Sequence, residues 1–186
     1  MSTLQDKTVL VTGASRGIGR ATAAALARAG AHVLVHYGRS VQEAESLVSE
    51  IQAKGGRAKA IWADLGTPND AELLAKQVRS IVGDRLDVLV LNAGISKAAR
   101  IADYTVEEFD NLFATNVRSP FFLVQQLLPI LGDGSNIVLI SSAVARTVVA
   151  SPVWKTLQFL LMPLPKEQLR LWSSTGPPFS GQVAYA

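Results

Sequence analysis

Residues 8–19 read Thr8-Val9-Leu10-Val11-Thr12-Gly13-Ala14-Ser15-Arg16-Gly17-Ile18-Gly19. The first five are β-branched or aliphatic with no charge among them, the composition of a strand buried on both faces. Gly13 ends the run and permits a sharp turn. An alanine-rich stretch over residues 17–29 follows and closes at Gly30, which predicts a helix with a glycine stop. A strand, a glycine-rich turn and a helix start in this order make an anion-receiving unit. Gly17 lets the backbone approach a pyrophosphate, and Gly19 allows close packing of helix on strand. The helix start offers free N–H groups and the positive end of its dipole. Ser15, Arg16 and Ile18 complete the turn as candidate contacts. A lone glycine-rich turn is weak evidence, because glycine also serves ordinary turns. The flanking strand and helix give this one its weight.

Outward from the turn the same alternation repeats. Short apolar runs at residues 33–35, 58–62, 88–91 and 137–140 read as strands. Between them, residues 41–54 carry apolar positions at helical spacing and stop at Gly55-Gly56. Thr67-Pro68 has the chemistry of a helix start, and that helix runs to about residue 82. Thr105-Val106-Glu107-Glu108 has the pattern of a capping box, followed by a helical stretch to about residue 131 that Pro120 kinks or divides. Continuously apolar strands alternating with helices predict an α/β fold: a doubly wound parallel sheet with right-handed crossovers. It reaches as far as the fifth strand. After about residue 150 no strand or helix period continues, and five of the eight prolines fall there. The expected division is residues 1–150 as one folded unit and 151–186 as an atypical, disordered tail, which leaves the fifth strand as an open apolar edge.

Composition narrows the function. With 186 residues the chain can enclose a real core. It has no cysteine, so disulfides, thiolate metal sites and a cysteine nucleophile are excluded. The net charge is +3, but Lys and Arg are scattered among acids with no basic stripe, which argues against a nucleic-acid partner. No apolar run approaches the roughly 20 residues a membrane span needs, and the polar N-terminus lacks a signal-peptide layout. The expectation is a cytoplasmic protein without a membrane or metal partner.

Further motifs lie at the ends of the expected strands. Asp64-Leu65 follows the third, Asn92-Ala93-Gly94 the fourth and Ser141-Ser142 the fifth, while Asn116 sits in the long helical stretch. Singly, these are a cap, a turn, a strand-end hydroxyl and a surface amide. Together they lie near the C-terminal edge of one sheet, where ligands bind in doubly wound folds. With the Gly-x-x-x-Gly-x-Gly spacing of the turn, the ordered set resembles the short-chain dehydrogenase/reductase family over about residues 4–150, and in particular its 3-oxoacyl-thioester reductases. The resemblance implies a Rossmann fold and hydride transfer between a nicotinamide cofactor and a small carbonyl or alcohol substrate. It implies that Asp64 and Leu65 hold the adenine and that Ser142 and Asn116 belong to the catalytic set. Members commonly form dimers or tetramers, so it also implies a homo-oligomer if the chain folds.

Cofactor choice rests on the end of the second strand, His36-Tyr37-Gly38-Arg39-Ser40. An acid there would accept bonds from the adenosine ribose and favour NAD. None is present. Arg39 can pair with a 2′-phosphate, Ser40 can donate to it, and Arg16 is a second cation. NADP(H) is therefore expected over NAD(H).

One part of the family pattern is missing. Members carry, after the serine, a tyrosine and a lysine four residues later, and the lysine cation lowers the phenol's pKa so that it can exchange a proton. Here the tyrosines are Tyr37, Tyr104 and Tyr185, and none has such a partner. The genetic code offers a reason. Phe159, Leu160, Leu161, Met162, Pro163, Leu164, Pro165 and Lys166 can be written TTC TTG CTT ATG CCG CTA CCA AAG. Read one base out of register, these bases encode Leu-Ala-Tyr-Ala-Ala-Thr-Lys, which contains the absent pair. The tail is thus compatible with a shifted reading of a family gene.

Overall fold

The computed structural model describes residues 4–97, 99, 101–141 and 183–185. Its strands are β1 (Thr8–Val11), β2 (His32–Tyr37), β3 (Arg57–Trp62), β4 (Val88–Leu91), β5 (Asn136–Leu139) and β6 (Val183–Tyr185). Its helices are α1 (Gly17–Arg28), α2 (Val41–Ala53), α3 (Asp70–Val82), α4 (Val106–Phe113) and α5 (Ser119–Leu127). The sheet order is β3-β2-β1-β4-β5-β6 and every pairing is parallel. The chain winds outward from β1 through β2 to β3, then returns to place β4 on the other side of β1. This reversal opens a crevice at the C-terminal ends of β1 and β4. The doubly wound parallel sheet is the fold expected from the sequence.

Successive residues of one strand feed different cores. Leu10, Leu34 and Leu89 pack with Leu74, Val78, Leu123 and Leu127 of α3 and α5. Val9, Val11, Val33 and Val35 pack with Ala23 and Ala27 of α1 and Ala44 and Leu47 of α2. Burial on both faces explains the unbroken apolar runs. The small alanines of α1 let that helix lie close to the sheet, which brings its N-terminus over the end of β1.

Three local expectations need correction. Helix α3 starts at Asp70, not at Thr67-Pro68. The Thr67 hydroxyl donates back to the Asp64 carbonyl (3.0 Å), while the buried Asp70 carboxylate accepts from the Gly66 N–H (2.7 Å) and the Ser119 hydroxyl (2.6 Å). The long helical stretch divides before Pro120, at a wide π-type turn over Ala114–Arg118 in which the Ser119 N–H reaches the Ala114 carbonyl. Finally, the edge of β5 is not open. Val183–Tyr185 pairs with it, Ile137 opposite Val183 and Leu139 opposite Tyr185. No helix among the described residues is long and apolar enough to cross a membrane.

Candidate functional site

The turn between β1 and α1 is held from both sides. The Thr12 hydroxyl accepts from the N–H groups of Asn92 (2.9 Å) and Ala93 (3.0 Å) after β4, and so clips the two strand ends together. The Asn92 amide donates to the carbonyls of Thr12 (2.9 Å) and Gly13 (3.2 Å). Gly13 has φ +62°, and a Cβ there would lie 2.9 Å from the Ala93 backbone. A Cβ on Gly19 would overlap both the Gly13 carbonyl oxygen and the Asn92 amide, so the close packing read from the motif is present. Over Gly17 nothing stands within 4 Å. Arg16 is the N-cap of α1 and is exposed, as is Ile18, while Ser15 is buried beneath them.

His36 is the residue that sequence reasoning overlooked. Its ring is buried, with Nδ1 3.0 Å from the Gly13 N–H and Nε2 3.1 Å from the Ala63 carbonyl. An N–H can only donate and a carbonyl can only accept, so Nδ1 is bare and Nε2 carries the proton. Burial pushes the ring down to about 4, against opposing pulls from the Ala63 carbonyl and the Asp70 charge. The signal was available: a polar ring inside an otherwise apolar buried strand must find partners.

Beyond His36 the β2 end opens to solvent. Trp62 donates its indole N–H to the Gly38 carbonyl (2.8 Å) and braces this loop from β3. Arg39 is exposed and Ser40 is the N-cap of α2 without a side-chain capping bond. Neither side chain has a hydrogen-bond partner among the described residues. Asp64 is exposed at the end of β3 and Leu65 is buried, its carbonyl accepting from the Thr115 hydroxyl (2.6 Å).

Asn116 sits in the π-type turn. Its Oδ1 accepts from the Ile95 N–H (2.9 Å) and its Nδ2 donates to the Ile95 carbonyl (2.8 Å), fixing the segment after Gly94. A cleft of about 260 Å³ brings together Thr12, Asn92, Gly94, Asn116 and Ser141. Ser142 lies outside the described residues. Tyr104 is turned to other use: its hydroxyl donates to the Lys97 carbonyl, and Lys97 pairs with Glu108. Burial holds its phenol above the ordinary value, the opposite of what proton exchange near neutrality needs. A larger groove of about 600 Å³, between Gly30, Glu50, Lys54, Gly55 and Arg57, lies at the opposite edge of the sheet, beside helix C-termini that disfavour an anion.

The short chain dehydrogenase family model matches residues 7–154. Versicolorin reductase 1 of Aspergillus parasiticus is 43% identical over 143 residues, which is 76% of this chain and 54% of that protein. The chain thus spans about half the length of the curated relatives it matches. Landomycin C-6 ketoreductase LanV, solved with bound NADP and rabelomycin, superposes with a TM-score of 0.86 at 38% identity, covering 99% of this chain and 76% of that one. A short chain dehydrogenase from Burkholderia cenocepacia in complex with NADP superposes with a TM-score of 0.87 at 35% identity, covering 98% and 73%.

Proposed function

The chain belongs to the short-chain dehydrogenase family, and on that premise we propose that it is an NADP(H)-binding oxidoreductase unit acting between the cofactor and a small carbonyl or alcohol. The observation that carries this reading is the glycine turn at the switch between β1 and β4, with Arg39 rather than an acid at the end of β2. The residues fit such a cofactor: space over Gly17 is open, Gly13 and Gly19 leave no room for side chains, and Arg39 and Ser40 are uncommitted. When bound, NADP(H) supplies or accepts the hydride. The N–H groups at the start of α1, with Ser15, Gly17 and Ile18, receive its pyrophosphate. Arg39, Ser40 and Arg16 meet the 2′-phosphate, and Asp64 and Leu65 hold the adenine. Asn92, Ala93 and Gly94 form the floor. Ser142 bonds the substrate oxygen, and Asn116 helps to hold a proton-relay water.

A second reading is favoured by the missing Tyr-x-x-x-Lys pair: a dinucleotide-binding chain without turnover. In either case the family-like unit is residues 1–150 and the tail lies outside the pattern. We also infer a cytoplasmic protein that self-associates when folded.

Titration of the chain with NADPH and NADH tests the cofactor reading. NADPH should bind more tightly, and Arg39→Ala should cost about tenfold for NADPH alone, the loss of one charge-assisted hydrogen bond. Gly19→Ala should abolish both. Equal affinities in the native chain, or an Arg39→Ala chain whose preference for NADPH is undiminished, would overturn it. A ketone panel separates the two readings, since turnover above background removes the second.

A further inference from the structure

The glycine turn needs its N–H and carbonyl groups satisfied while it leaves the sheet. The carbonyls of Thr12 and Gly13 are served by Asn92. The N–H groups are served elsewhere: Thr12 donates to the Val90 carbonyl, Ala14 donates to the His36 carbonyl (2.8 Å), and Gly13 donates to the His36 ring (3.0 Å). The same ring donates through Nε2 to Ala63, the residue before Asp64-Leu65. One buried side chain thus joins the end of β1, the end of β2 and the end of β3. These are the places where the proposed pyrophosphate, 2′-phosphate and adenine contacts arise.

We propose that His36 is a positioning residue of the dinucleotide site, its bare Nδ1 holding the Gly13 N–H so that the turn keeps the form that receives a pyrophosphate. This rests on the NADP(H) reading above. The ring does not touch the ligand; it acts through Gly13 and Ala63. An apolar side chain at this position would leave the half-buried Gly13 N–H and the buried Ala63 carbonyl without the ring, each at a real cost. The two nitrogens are separable by substitution. The Oδ1 of asparagine occupies the place of Nδ1 and can accept from Gly13, but asparagine is too short to reach Ala63. The Nε2 of glutamine occupies the place of the ring Nε2 and can donate to Ala63, but leaves Gly13 without an acceptor.

The test compares the native chain with His36→Asn and His36→Gln, reading NADPH affinity together with hydrogen exchange at the Gly13 amide. His36→Asn should bind NADPH nearly as the native chain does and keep the Gly13 amide protected. His36→Gln should bind about tenfold more weakly, with Gly13 exchanging faster. Both variants lose one of the ring's two bonds, so a purely structural role predicts similar losses in the two. Equal affinities with equal Gly13 exchange would overturn the proposal, as would an unprotected Gly13 amide in the native chain. A native chain that binds no NADPH defeats the dinucleotide reading; the Gly13 exchange pattern then still decides, for or against, whether His36 sets the turn.

Discussion

A histidine that must accept at Nδ1 cannot also be a cation, so the His36 contacts carry a pH dependence. The ring titrates at 6.5 when exposed and at about 4 in the fold, chiefly because burial penalises its charge. Between these values the unfolded chain binds a proton that the folded chain refuses. The contribution to stability is therefore complete above pH 6.5 and is lost as pH falls toward 4, about 3 kcal/mol in all. Urea unfolding of the native chain and His36→Asn across this range measures it. The native chain should lose the larger share, and parallel pH profiles would reject the assignment. His32, also shifted downward by burial and by Arg57 and Lys59, is present in both chains and cancels.

At the scale of elements, α4 shows how a local signal sets a helix start. The Thr105 hydroxyl accepts from the Glu108 N–H (3.2 Å) and the Glu108 carboxylate accepts from the Thr105 N–H (3.1 Å), the reciprocal box read from Thr-x-x-Glu. Thr105→Ala should cost about 1 kcal/mol in thermal unfolding, the usual value of an N-cap. A change below a few tenths would mean that packing alone sets the helix start. The break that follows is a different matter. Proline at 120 has no N–H for the carbonyl four residues earlier, and the chain widens ahead of it. The residue that expected position puts at the kink is thus downstream of the real turn. Asn116 falls inside that turn, which aims its amide at Ile95.

Across the whole molecule, the family pattern and the tail stand in tension. Five strands, the glycine turn and the strand-end motifs follow the pattern, and the proton-exchanging pair does not. If the tail is a shifted reading, the coding DNA beyond codon 158 will contain Tyr-x-x-x-Lys in the neighbouring frame. A chain carrying the restored frame should then oxidise NADPH with ketones, while the present chain, on the reading without turnover, should show only background. Coding DNA without that pair in either frame would sink the frameshift. The β5 edge, expected to stand open, is instead paired along three residues by β6, which becomes the outer strand of the sheet.

What the sequence determined by itself was whatever a short window can encode. Apolar runs buried on both faces, glycines at fixed offsets and a capping box all state their structure within a dozen residues. Tertiary structure alone decided which groups meet. Gly13 finds the His36 ring 23 residues away, Asn116 finds Ile95 at a separation of 21, and Thr12 clips Asn92 across 80. In the sequence His36 stands only as a residue at the end of the second strand with no acid beside it, because its neutrality depends on partners from two other strand ends. Periodicity reports burial, but a tertiary hydrogen bond is settled only when the sheet brings donor and acceptor together, and the candidate site at the β1–β4 crevice is built from such bonds.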